Sequence, residues 1–546
     1  MDNKKIKQSV IVAALTSTFG IFISKALGLL YYAPLSALAG ESNMAFYSIT
    51  YTYYDILLKI SSAGIPFAIA ALVARYYIKE DYKTVLLVRK LGVSMIMGLS
   101  FIVALIFLII SKPLAAQSMG ASASLEDIKH LQVLFLILVI AVILVPFLSA
   151  IRGYYQGLKR LDLYGSSQAL EQFVRVFSII LLAFLLVRVF RFETIYAIYG
   201  AVAAAGIAAL VTIIFFIFMT KEDNKRINEL VEKQENAAVS KKLIIKEILS
   251  LGLPYLLISF LGSISPLINT TFFLDTVTKA GVDIEFAKLS MGILQANCNK
   301  LGAIPQVLTI GFSASLVPYL VETLEQQDYK KLSKQIVQIL DTVLYILIPV
   351  IVIFIFFARD IYFIMYGNSN LDLGTRLFRM SNFVTFTDTV APILSSIMIT
   401  LKLRKEAAFT LITSIIIKFI SFFFFVRSFG AEGMVYSTAL SSLSVIALYL
   451  LILKKKFGIR FVKTLKRSLF ILGSSLVVVA PIAAIAYLIP FDYTSRILDI
   501  LKMGVIGVII VILYYLVSAK LSLPQKIFGI DKLTPKTLLS KFRAWF

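Results

Sequence analysis

Apolar runs of about 20 residues, each bounded by a short polar segment, repeat along the whole chain, and a run of that length crosses a hydrocarbon core of about 30 Å as a helix. Fourteen such runs are centred near residues 20, 58, 99, 139, 176, 207, 260, 303, 348, 389, 416, 441, 478 and 507. The pattern predicts an all-α polytopic membrane protein with fourteen transmembrane helices: two six-helix bundles plus two C-terminal helices. Breakers punctuate several runs: Gly64 and Pro66, Pro146, Pro254 and Pro266, Pro305, Pro349, and Pro392. Proline in a membrane helix frees a backbone carbonyl and bends the axis, which is tolerated where protein or a wet cavity satisfies the freed group. These bends serve either packing or the rocking of bundles.

The longest polar interruption, KEDNKRINELVEKQENAAVSKK at residues 221–242, reads as a cytoplasmic linker, partly helical. It places an N-terminal bundle at 1–220 and a C-terminal bundle at 243–453, followed by two further helices at 454–519. A substrate site between two such repeated bundles is a common transporter plan. Residues 520–546 read as a cytoplasmic interfacial tail. Within it Thr534 and Pro535 open a helix whose Leu538, Leu539, Phe542, Trp545 and Phe546 share one face. The first run follows a short basic head without a convincing small-residue cleavage site, so it is expected to be retained.

Composition agrees with the runs: 59% of the 546 residues are apolar and mean hydropathy is +0.88. A net charge of +23 could suggest nucleic acid, but the basic residues sort by side. With a cytoplasmic N-terminus, 37 of the 54 Lys and Arg fall in inner segments and 11 in outer loops. That bias predicts both termini on the inner side of the membrane and accounts for most of the charge without nucleic acid. Cys298 is the single cysteine and His130 the single histidine. No Cys/His cluster with zinc spacing, glycine-rich phosphate loop or nucleophile with a histidine base can be assembled. The chain therefore reads as a transporter, with no cofactor and no metal site expected, although scattered acids leave ion binding open.

Six cations lie inside the runs: Lys25, Lys59, Arg175, Lys300, Lys418 and Lys502. Lys502 is near enough to an end to snorkel. Gln168, Glu171, Gln172 and Arg175 follow i, i+3, i+4, i+7 and share one helix face, with Glu171 and Arg175 one turn apart. Arg175 lies about 16 Å into its helix at 1.5 Å per residue, near mid-membrane, so this face must look at protein or water as a buried polar network. Asp55 stands one turn before Lys59 and can pair with it, and Asp388 is at a depth from which it could reach Lys418. Five deep cations against Asp55, Glu171 and Asp388 leave an excess of about two positive charges, which water or an anionic ligand should balance. Lys25, Lys59 and Lys300 are the residues expected to receive that anion, for which a lipid head group is well suited.

The stretch RGYYQGLKRLDLYGSSQALEQFVRV (152–176) resembles the segment after the fourth span in MurJ- and SpoVB-type exporters of the MOP superfamily, especially the YtgP-like branch. FISKALGLL (22–30), LLKISSAGIPFAIAALVA (57–74), NKLGAIPQVLTIGFSASLVPYL (299–320) and GAEGMVYSTALSS (430–442) are similar to that family's equivalent segments, so the likeness covers residues 5 to 450 in order. The resemblance implies a flippase that carries undecaprenyl-pyrophosphate-linked sugars, chiefly lipid II, to the outer leaflet by alternating access. The family's cavity arginines fall on Lys25, Lys59 and Lys300, which keep the charge but give up bidentate phosphate binding. Tyr31 and Tyr32 stand where another cavity arginine is expected, and Asn299 where some members carry aspartate.

Export of another lipid-linked polymer, teichoic, capsular or sporulation related, would meet the same lysines. A MATE-like drug antiporter needs an acidic cavity, and a membrane glycosyltransferase needs catalytic acids at the membrane face; neither matches the lysine excess. Membrane potential acting on Lys418 is the expected drive, with Na+ at Asp388 as the rival. Nothing in the residues demands more than a monomer.

Overall fold

The computed structural model describes residues 28, 31–62, 64–306, 320, 323–324, 326–488 and 495–528, which are helical with short connections and contain no strand. Among them, twelve helical segments are long and apolar enough to cross a membrane. They coincide with twelve of the expected runs; the run near residue 20 lies outside the described residues and that near 303 is described only as far as residue 306. The expected tail helix at 534–546 also lies outside them. The chain forms two compact units, Met1–Gly292 and Ile293–Phe546.

The first unit contains α1 (Tyr32–Ala39), α2 (Met44–Ser62), α3 (Ile65–Ile78), α4 (Tyr82–Met119), α5 (Leu125–Gly157), α6 (Leu161–Phe184), α7 (Ile195–Met219), α8 (Lys221–Glu232), α9 (Lys241–Lys279) and α10 (Ile284–Met291). Gly64 separates α2 from α3 with φ +84°, and a Cβ there would lie 2.2 Å from the carbonyl oxygen of Gly252 on α9. Only glycine fits both the left-handed backbone and the close approach. Lipid tails are as apolar as leucine, so helices here associate through close packing of small residues rather than through exclusion of water. The buried face of α7 shows this with Ala197, Gly200, Ala201, Ala204, Ala205 and Ala208. On α4 the outward face keeps Phe101, Ile102, Leu105, Ile106 and Ile109 exposed, as a lipid-facing surface requires.

The polar segment after α7 docks within the first unit. Asn224 Oδ1 accepts from Arg89 Nη1 at 2.8 Å and from the Tyr155 hydroxyl at 3.2 Å. Asp223 pairs with Arg160. Further on, Gln234 Nε2 donates to Asp81 Oδ1 at 2.9 Å, and Val239 N donates to Thr84 Oγ1 at 2.9 Å. Asp81 is also the N-cap of α4, accepting from Thr84 N. Burial acts to raise the Asp81 carboxyl, but the hydrogen bonds from Thr84 and Gln234 outweigh it and hold the group below its ordinary value.

The second unit contains α11 (Tyr329–Phe356), α12 (Ala358–Tyr366), α13 (Leu371–Thr400), α14 (Arg404–Phe429), α15 (Ala431–Phe457), α16 (Val462–Leu488), α17 (Arg496–Lys520) and α18 (Leu523–Phe528). Ile336 and Leu347 of α11, Leu394 and Met398 of α13, and Tyr449 and Leu453 of α15 share one core. Ile348 and Val352 of α11 meet Ile471 and Val479 of α16 and Ile510 of α17 in another. Buried Asp341 on α11 accepts from Arg467 on α16, which ties this C-terminal pair of helices to the unit.

Candidate functional site

On α2, the 3.6-residue period puts Asp55 and Lys59 on one face, and Lys59 Nζ lies 2.6 Å from Asp55 Oδ2. Lys59 Nζ also donates to Ser263 Oγ of α9 at 2.7 Å. Two turns further along the same seam, Thr270 Oγ1 donates to Thr52 Oγ1 at 3.1 Å. The Lys59 side chain is 34% exposed and that of Asp55 58%, so the pair faces open space. An ammonium carries three donors, and two of Lys59's are used within the described residues. The expected pairing is therefore present, and it neutralises Lys59 in this state.

Tyr31 and Tyr32, both buried, begin an aromatic ladder. The Tyr31 and Tyr47 hydroxyls are 2.9 Å apart, the Tyr47 and Tyr51 rings are 4.3 Å apart, and those of Tyr51 and Tyr54 are 5.5 Å apart. Beside this ladder stands the polar face of α6. Glu171 Oε1 accepts from Arg175 Nη2 at 2.6 Å, and Glu171 Oε2 accepts from Arg152 Nη1 at 2.7 Å. Arg152 Nε donates to Ser167 Oγ at 3.0 Å. Gln172 packs on Gly28, where an added Cβ would lie 3.2 Å from Gln172 Nε2, while Gln168 is half-buried. Arg152, on α5, is the member that sequence reasoning missed. It lies outside the six cations of the apolar runs, and its position fifteen residues before Ser167 brings it back across the α5–α6 turn. Two guanidiniums share one carboxylate, so the cluster carries one net positive charge. Among the described residues, Arg152 Nη2, Arg175 Nε and the Tyr51 and Tyr54 hydroxyls are buried without a hydrogen-bond partner.

In the second unit a π-helical turn, Gly292–Cys298 with its first residue in the unit before, leads into the helical residues 299–306 that carry Asn299 and Lys300. Such turns shift the helical register and recur at functional sites. Here the turn is fastened to α12: Asn297 Nδ2 donates to the Tyr362 hydroxyl and the Tyr366 hydroxyl donates to Asn297 O, both at 3.1 Å. Asn299 is exposed, with Nδ2 on Gln295 O at 3.0 Å, and Lys300 is half-buried. Lys25 lies outside the described residues.

Lys418 on α14 is fully buried. Its Nζ donates to Ser437 Oγ and Thr438 Oγ1 of α15, both at 2.8 Å, and lies 5.2 Å from the centre of the Phe422 ring. Asp388 does not close an ion pair with it among the described residues; Asp388 Oδ1 instead accepts from Ser442 Oγ at 3.1 Å.

Long helices that cross a bilayer in two compact units, with ionic groups held deep inside them, define a polytopic helical membrane transporter. Residues 12–324 match the family described as polysaccharide biosynthesis protein, and the chain belongs to that family. It is 26% identical over 484 residues to the Bacillus subtilis (strain 168) protein named Lipid II flippase MurJ, covering 87% of this chain and 88% of the relative. The fold is similar to that of Lipid II flippase MurJ in an inward closed conformation, with TM-score 0.62 and 18% identity over 93% of this chain and 98% of the other. It is also similar to an inward-facing multidrug resistance MATE family transporter of the MOP superfamily, with TM-score 0.60 and 15% identity over 81% of this chain and 99% of the other. The kinship with MurJ-type exporters expected from the segments above stands, and the chain is a transporter rather than an enzyme.

Proposed function

We propose that this chain is a flippase of the bacterial plasma membrane, moving an undecaprenyl-pyrophosphate-linked peptidoglycan precursor, lipid II, from the inner to the outer leaflet by alternating access. The observation that carries the reading is the near full-length likeness to the Lipid II flippase MurJ of Bacillus subtilis. The chemistry of the first unit supports it: Lys59 faces open space with a donor to spare, and the Arg152–Glu171–Arg175 cluster keeps one uncompensated positive charge. The net positive charge of that cluster would repel a drug cation, which sets the lipid reading above the MATE-like one.

Lys25, Lys59 and Lys300 are the residues proposed to meet the pyrophosphate, and Tyr31, Tyr32 and Asn299 are proposed as further substrate contacts. Asp55 acts as the counter-ion that the incoming phosphate displaces from Lys59. The membrane potential resets the carrier through the charge on Lys418; one charge moved through 100 mV is worth about 2.3 kcal/mol. The protein works as a monomer with both termini inside. Direct binding of purified protein to lipid II tests the site. Lys25→Ala, Lys59→Ala and Lys300→Ala should each weaken binding by roughly tenfold, the loss of one charge-assisted contact. Unchanged affinity in all three would overturn the residue assignment.

A further inference from the structure

The chain's single histidine stands among carboxylates at one end of the first unit. Glu126 and His130 lie in the first two turns of α5, one helical turn apart, and Glu193 lies in the connection that enters α7. Each offers one ligand atom, and the three atoms all lie within 4.8 Å of one another. His130 Nε2 is 3.6 Å from Glu126 Oε1. Around a tetrahedral ion with ligand bonds of about 2.0–2.2 Å, neighbouring ligand atoms stand about 3.3 Å apart. The exposed Glu126 and Glu193 side chains need only a small rotation to reach that spacing.

An observation outside the triad points the same way. The other imidazole nitrogen, Nδ1, lies 2.6 Å from the Tyr199 hydroxyl on α7. With Nδ1–H donating to that oxygen, Nε2 keeps its lone pair 3.6 Å from Glu126 Oε1, and a hydrogen bond on the other ring nitrogen is the outer-shell contact that metal-bound histidines characteristically have. The ring is further held by its packing on Tyr199, and Tyr199 by Tyr196, with centroids 5.9 and 5.1 Å apart. The Glu193 connection is itself fixed. Its carbonyl accepts from Tyr196 N at 3.0 Å, and neighbouring Thr194 Oγ1 accepts from Asn43 Nδ2 at 3.0 Å.

We propose that Glu126, His130 and Glu193 form a site for a divalent transition-metal ion, Zn2+ foremost, with the fourth position left to water. Imidazole nitrogen beside two carboxylates suits Zn2+ better than Mg2+ or Ca2+, which prefer all-oxygen shells. The ion pins the start of α5 to the start of α7. Asp127, next to Glu126, already binds Lys288 Nζ of α10 at 3.0 Å, so one turn of α5 would fasten two neighbours at once. Spacing along the sequence hides the site because Glu193 joins it only through the packing of α7 on α5. The inference stands apart from the identity of the transported lipid.

The test uses the purified full-length protein, stripped with chelator and titrated with Zn2+ by calorimetry, with thermal unfolding as a second readout. One Zn2+ should bind saturably and raise the unfolding temperature. His130→Ala, or His130→Gln should the alanine variant misfold, and Glu193→Gln should each lower affinity at least tenfold and abolish the shift. Tyr199→Phe should weaken binding roughly tenfold while keeping one ion per chain. Absence of saturable binding, binding unaltered in the His130 or Glu193 variants, or a preference for Ca2+ or Mg2+ would overturn the proposal.

Discussion

Glu171 takes one charged hydrogen bond on each oxygen, from Arg175 on its own helix and from Arg152 on α5. Removing the acid leaves two guanidiniums facing each other in a low dielectric. Glu171→Gln should therefore destabilise the protein by about 3–5 kcal/mol, read as a lower midpoint of denaturant unfolding. Asp55 has the opposite character, since its pair with Lys59 is half-open. Asp55→Asn should release Lys59 and tighten lipid II binding by roughly tenfold, about 1.4 kcal/mol, which equilibrium binding checks. The Asp55–Lys59 and Glu171–Arg175 pairs were legible in the sequence because both are i, i+4 contacts on one helix, set by helical geometry alone. Arg152 and the hydroxyl shell of Lys418 were not, because each needs a second helix: α5 folding back on α6, and α15 turning Ser437 and Thr438 toward α14.

Helix order and span positions were readable because apolar length is dictated by bilayer thickness. The joints were less so. The π-helical turn at Gly292–Cys298 has no spacing signature, whereas the break at Gly64 was signalled by glycine before a proline. Gly64→Ala must place a methyl within van der Waals overlap of Gly252 O at a left-handed φ. The variant should unfold at lower temperature and weaken the packing of α2–α3 on α9, measurable as faster amide exchange at the ends of those helices. The cap of α4 supplies a pH dependence. Because Asp81 is held below its unfolded value, its contribution is complete above the unfolded pKa and is lost as pH falls through the folded one. Asp81→Ala should cost about 1 kcal/mol near neutrality and flatten the acid limb of the stability profile, as unfolding followed from pH 7 downward will show.

For the whole molecule, charge placement links fold to work. The second unit keeps a buried ammonium, Lys418, among hydroxyls with Asp388 bonded elsewhere. If that charge moves in the membrane field, Lys418→Met should remove the voltage dependence of transport while leaving the protein folded; transport measured at imposed potentials, with and without Na+, separates this from sodium coupling at Asp388. The most direct test of the central claim is translocation of lipid II by purified protein in sealed vesicles. Transfer between leaflets should depend on the protein and fall at least tenfold in Lys59→Ala. Vesicles in which lipid II stays on its starting leaflet despite correctly folded, inserted protein would contradict it.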